Sequence, residues 1–213
     1  TNQPHREWVY RQAYVNGRHI IGMELHKIFA GIDWFDNQTT GDNPTIGIAG
    51  YGEGGLLALY AGAVDQRIDV TLVSGYFGPR ENLWQEPVYR NVWSLLKRFG
   101  DAEIASMIAP RSLIIEYSRG PEVDGPPPAG EGVRGAATAG VISTPPFRDV
   151  RAEVERLQGF FKEGSVELPL QFVHGPTGDR AVTGGSEEAV AAFAADLGIS
   201  SLASPVDAPT DQR

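Results

Sequence analysis

"TIGIAGYGEGGLLALY", residues 45–60, decides the fold. "TIGIAG" is a short apolar run bounded by glycine, as a strand requires, and "EGGLLALYAGAV" (53–64) has the length and composition of a helix. Gly50, Gly52, Gly54 and Gly55 stand between and just inside the two segments. The chain therefore passes from strand to helix through a corner whose backbone is hostile to side chains.

Working outward, "DVTLVSGYF" (69–77) is β-branched and apolar like a buried parallel strand. "RSLIIEYS" (111–118), with its apolar centre at Leu113, Ile114 and Ile115, and "LPLQFVH" (168–174) repeat that pattern. Helical segments alternate with them. Ile21, Leu25, Ile28, Ile32 and Phe35 line one face of a helix over 17–36, and the residues before it read as a loop entering that helix. Val88, Val92, Leu95, Leu96 and Phe99 suggest a helical excursion within 79–100, and a short helix over 101–110 halts at Pro110. Helices over 148–161 and 187–198 follow, the second with Ser186 as N-cap and Gly198 as stop. This alternation predicts an α/β domain with a mostly parallel sheet and helices on both faces, spanning 1–199. Residues 119–147 are rich in Pro, Gly and Ala and read as a mobile insertion, and 200–213 as a frayed tail.

Composition narrows the function. The 213 residues carry 18 Lys and Arg against 27 Asp and Glu, a formal charge of −9, which opposes binding to a phosphate backbone, so no nucleic-acid partner is expected. Without cysteine there is neither a disulfide framework nor a thiolate metal site. No apolar run approaches the roughly 18 to 20 residues of a membrane-spanning helix, so no membrane partner is expected. No H-E-x-x-H, Walker or EF-hand pattern occurs, and neither metal nor cofactor is predicted. Compartment is left open.

The glycine corner has two chemical readings. Gly50, Gly52 and Gly55 satisfy G-x-G-x-x-G, the dinucleotide-binding turn. That turn wants an acid at the carboxyl end of the next strand, where this chain has Ser74, Gly75 and Tyr76; Asp69 lies at the strand's beginning. The second reading is the nucleophile elbow G-x-S-x-G, which Gly50, Tyr51, Gly52, Glu53 and Gly54 match at every position but the serine.

With "GYGEGG", the flanking "GRHIIGMELHKIFAGIDWF", "DQRIDVTLVSGYF" and "IAPRSLIIE" resemble the acetyl xylan esterase and dienelactone hydrolase branch of the α/β-hydrolases, well over about residues 1–118 and loosely beyond. The resemblance implies a partial α/β-hydrolase fold whose first strands and second oxyanion donor belong to sequence before Thr1. It implies that Gly52 stands at the nucleophile position and that the Glu53 N–H is one oxyanion donor. The acid then comes from Glu122 or Asp124, and the base is His174. Small-molecule or carbohydrate esters are the implied partners.

Gly52 has no hydroxyl or thiol to activate, so the resemblance implies weak or lost esterase activity. The alternatives that stay open are an activated water, with Glu53 as its base, a displaced nucleophile at Ser74 or Ser118, and the dinucleotide turn. For Glu53 a helix-start carboxylate is the simpler role, and for His5, His19 and His26 hydrogen-bonded or solvated positions suffice. Trp84, Tyr89, Trp93 and Phe99 are read as packing of the excursion or as the roof of a cleft.

Overall fold

The computed structural model describes residues 5–38, 44–125, 131, 140–177 and 180–200. Its centre is a four-stranded, wholly parallel sheet in the order β1-β2-β3-β6, formed by β1 (Ile46–Tyr51), β2 (Ile68–Ser74), β3 (Ser112–Glu116) and β6 (Leu170–Val173). Helices connect the strands and cover both faces, so the chain is an α/β fold. On one face α3 (Glu53–Val64), α4 (Asp101–Ser106) and α5 (Phe147–Gly159) share a core with Val73, Leu113 and Ile115 of the strands. On the other, α6 (Glu187–Asp196) places Ala189 and Phe193 against Val70, Leu72 and Ile114.

The alternation of these strand residues between two clusters follows from the period of two along a strand. Leu59, Leu113 and Ile115 are wholly excluded from solvent. Each such side chain contributes about 1.5 to 3 kcal/mol of burial. The N-cap of α6 is as read: the Ser186 hydroxyl accepts from the Ala189 N–H, and Gly198 ends the helix at φ 77°.

Three elements differ from the sequence expectation. His5–Val15 is a helix, α1, where the residues read as a loop; it buries Tyr10 and pairs Arg11 with Glu7 one turn earlier at 2.7 Å. The following helix, α2, runs Ile20–Gln38. Residues 79–100 form no α-helix but separate 3-10 turns at Leu83–Gln85, Val88–Arg90 and Leu95–Lys97. Pro87 supplies no N–H, Ser94 takes φ 66°, and all but one of the backbone bonds among these turns close over three residues, as from Arg90 N–H to Pro87 O at 2.9 Å, the exception being Phe99 N–H to Leu95 O. Val88, Val92 and Leu95 still pack against the core, whereas Trp84 and Trp93 are 70% and 77% exposed and contribute no core packing. Finally, the described ends of the 119–147 insertion are paired: β4 (Val123–Asp124) runs antiparallel to β5 (Val141–Ile142), and Gly120 N–H donates to Thr144 Oγ1 at 3.1 Å. Residues 126–130 and 132–139, and the tail from 201, lie outside the described residues.

Candidate functional site

Gly52 links the end of β1 to the start of α3 with φ 56° and ψ −118°. This conformation is nearly closed to residues with a side chain. The turn is held on both sides: Gly52 N–H donates to Ser74 O at 2.9 Å, and Gly52 O accepts from Leu56 N–H at 3.1 Å. The other glycines are fixed by close approach. A Cβ on Gly50 would run into the Gly54 carbonyl, and one on Gly55 would lie 2.8 Å from Ser74 O. The glycine spacing thus records a backbone folded tightly on itself. As the first residue of α3, Glu53 has an N–H with no acceptor inside the helix.

Above the corner the space for a side chain is taken. A Cβ on Gly52 would stand 2.7 Å from Cδ and 2.9 Å from Cγ of the Pro121 ring. The segment carrying Pro121 is tied to β1, because the Tyr51 hydroxyl donates to Arg119 O at 2.6 Å. Gly184, from the connection between β6 and α6, comes so close to Tyr51 that a Cβ there would meet the ring at 2.5 Å. Two crossing segments therefore cover the glycine corner.

Beneath them lies a buried polar cluster that joins Ser74 and Ser118, the two serines considered as displaced nucleophiles, to Glu116, for which the sequence suggests no role. Glu116, the last residue of β3, is 2% exposed. Its Oε2 accepts from the Ser74 hydroxyl and from Gly185 N–H at 2.9 Å, and its Oε1 accepts from Ser186 N–H at 2.8 Å. Ser74 and Ser118 hydroxyls stand 2.8 Å apart, and both residues are buried. Burial pushes the Glu116 carboxyl up, but bonds from Ser186, Ser74 and the two amides outweigh it and leave it below its ordinary value. The ionised carboxylate is thus a clasp for the segment that crosses back over the sheet. A charge inside "LIIEYS" was the available signal, since an acid in a buried strand needs partners.

The Glu53 carboxylate belongs to a ladder of alternating charges. It accepts from Arg90 Nε at 2.8 Å; Arg90 and Arg80 both bond Glu86 at 3.0 Å; and Arg80 Nε donates to Asp101 at 3.0 Å. Arg80 also lies over the Tyr76 ring, 4.4 Å from its centre. Asp101 is wholly buried, and burial outweighs Arg80 in pushing its carboxyl up to about 6. Burial also drives the neighbouring Tyr60 hydroxyl up to about 12. The partners are spread over residues 53–101, a separation at which no local spacing announces them.

Among the described residues the remaining candidates make no hydrogen bond or ion pair with one another. Glu122 and Asp124 are exposed, the former 3.8 Å from Arg119. His174 follows β6, at the other end of the strand order from β1. Three strand spacings separate these two strands, about 14 Å. Its Nδ1 stands 2.9 Å from Gly175 O, and the rings of Phe147 and Phe172 lie 5.2 Å away. Asp69 accepts from Ile46 N–H at 2.8 Å at the amino edge of the sheet, away from the glycine corner. Among the described residues no three His, Asp or Glu side chains are grouped to hold a metal ion, and no helix is long and apolar enough to cross a membrane.

No family model matches the chain. Over 109 residues it is 29% identical to a Bacillus subtilis (strain 168) protein named "Putative hydrolase YtaP", a match covering 48% of this chain and 36% of that relative. The match thus spans about half of this chain and about a third of that relative's length. Among solved structures, a promiscuous CE15 esterase from a marine bacterial metagenome aligns with 92% of this chain and 54% of its own, at 13% identity and a TM-score of 0.48.

Proposed function

We propose that this chain is part of an α/β-hydrolase domain of carboxylic-ester hydrolase descent, of the acetyl xylan esterase and dienelactone hydrolase kind, in which esterase chemistry is weak or lost. One observation carries the reading: Gly52 has the left-handed backbone of an elbow, no side chain, and the Pro121 ring where a nucleophile would stand. A covalent route needs a hydroxyl or thiol beside a base. In this reading Glu53 supplies an oxyanion N–H with nothing to serve, and its carboxylate is occupied by Arg90. Glu122 or Asp124 and His174 are the remnants of acid and base, which fits the lack of any bond between them among the described residues. The ligands are small or carbohydrate esters.

An activated water or a displaced nucleophile would keep the hydrolase active, but the geometry favours neither. Ser74 and Ser118 are covered and bonded to each other, and Glu53 is paired. Hydrolysis of p-nitrophenyl acetate separates the readings. Wild-type protein is expected at the buffer rate. Gly52→Ser alone is expected to stay there, because its side chain meets Pro121, whereas Gly52→Ser with Pro121→Ala gives the hydroxyl room and is expected to become acylated slowly. Wild-type turnover that His174→Ala abolishes would overturn the proposal.

A further inference from the structure

At the opposite end of α3 from the glycine corner, roughly 16 Å along the helix, a cavity of about 250 Å³ opens between α2, α3, α4 and the 79–100 segment. Ile21, Leu25, Ala63, Leu95, Ile104 and Met107 give it apolar walls. Its two polar side chains are already engaged. His19 Nδ1 accepts from Ile21 N–H at 3.2 Å and its Nε2 faces Asn91 O at 3.3 Å, while the Tyr60 hydroxyl is bonded to Tyr76. An occupant buried here can offer no polar group without losing its hydration.

The cavity does not end at its walls. Gly22 and His19 also line an adjoining open basin of about 670 Å³, whose other residues are Arg18, Met23 and His26. No atom lies within 4 Å of where a Gly22 Cβ would be, so the missing side chain joins the two recesses. Arg18 is exposed and forms no ion pair among the described residues. The nearest acid in sequence on α2, Glu24, is held by Arg6 at 2.7 Å. On a chain of net charge −9 this leaves an apolar slot with a cationic rim.

The geometry points to a binding site for a small amphiphilic carboxylate, with its hydrocarbon part in the cavity beside Gly22 and its carboxylate at Arg18 and His26. The recess is larger than the roughly 150 Å³ that encloses a benzene ring but opens to solvent on one side, so a chain of about eight carbons or a substituted ring can lie along its walls without being fully enclosed. The site lies at the amino edge of the sheet and is independent of the glycine corner and of whether any ester is cleaved there.

Octanoate is the probe, and the two methionines of the chain are the reporters. In methyl-labelled wild-type protein, titration with octanoate is expected to shift Met107, in the cavity, and Met23, in the basin, along one saturable curve. Acetate is expected to shift neither. Gly22→Leu fills the slot from an open helical position; it is expected to abolish octanoate binding without lowering the melting temperature. Arg18→Ala is expected to weaken octanoate about two- to fivefold, the range for an exposed charge pair. It is expected to leave 1-octanol binding unchanged. Absence of saturable shifts in the wild type would overturn the site, as would unchanged octanoate binding in folded Gly22→Leu. Equal loss of octanoate and octanol in Arg18→Ala would overturn the carboxylate assignment.

Discussion

The glycine corner at 50–55 and the crossing segment at 79–100 fix the same end of α3 by opposite means. At the corner, backbone lies on backbone: Gly50 and Gly55 exclude even a methyl group, and Gly52 turns where few other residues can. In the crossing segment the backbone forms only single 3-10 turns, and side chains do the holding, through Arg90 and Arg80 between Glu53, Glu86 and Asp101. Removing a side chain should cost little at the first region and much at the second. Adding one should do the reverse.

The largest effect is expected from Arg80→Ala. It leaves Asp101 buried and uncompensated, and loss of one partner of such a pair typically costs about 3 to 5 kcal/mol. Urea unfolding should show this, and Arg80→Met combined with Asp101→Leu should recover most of it. Recovery failing, with both groups apolar, would mean that the loss comes from the other Arg80 contacts, to Glu86 and the Tyr76 carbonyl, and not from an uncompensated Asp101.

Gly52→Ala comes next. The backbone conformation alone costs about 1 to 3 kcal/mol for a residue with a side chain, and contact with Pro121 adds to it. Gly52→Ala with Pro121→Gly should regain the part due to contact and keep the part due to backbone. If Gly52→Ala unfolds at the wild-type urea concentration, the corner is looser than its angles imply.

A smaller effect is expected from pH. Asp101 titrates near 6 in the folded chain and near the ordinary aspartate value of about 3.9 when unfolded. The folded state therefore holds the proton more tightly, and the contribution is lost as pH rises through 6. Between pH 5 and 7 wild type should lose about 1 kcal/mol relative to Asp101→Asn. A stability difference that is flat across this interval would show that burial does not dominate at Asp101.

The same contrast explains what was legible in the sequence. Strands and helices that repeat apolar residues at their own period were readable, as was the N-cap at Ser186, because each signal is local. The glycine corner was readable for a related reason: contact between neighbours in sequence leaves a fixed spacing. The 79–100 segment carries helix-like spacing at Val88, Val92 and Leu95, yet those side chains reach the core from separate turns. Helix α1 shows no readable period because it buries only Tyr10 and Glu7, too few positions to set one. At the candidate site, Gly52 and Glu53 could be placed from the motif. Pro121 could not, since it reaches the corner from 69 residues away through Tyr51 and the Arg119 carbonyl. Glu116 was visible as a charge in an apolar strand, but its partners at Gly185 and Ser186 come from another element.

On the proposed reading, the corner keeps the shape of an ester-cleaving site without a reactive atom. Intact-mass measurement after incubation with a fluorophosphonate, which captures activated serine hydroxyls, tests it most directly. Unmodified protein is expected after prolonged exposure. A single stoichiometric adduct, mapped to Ser74 or Ser118 and lost in His174→Ala, would contradict it.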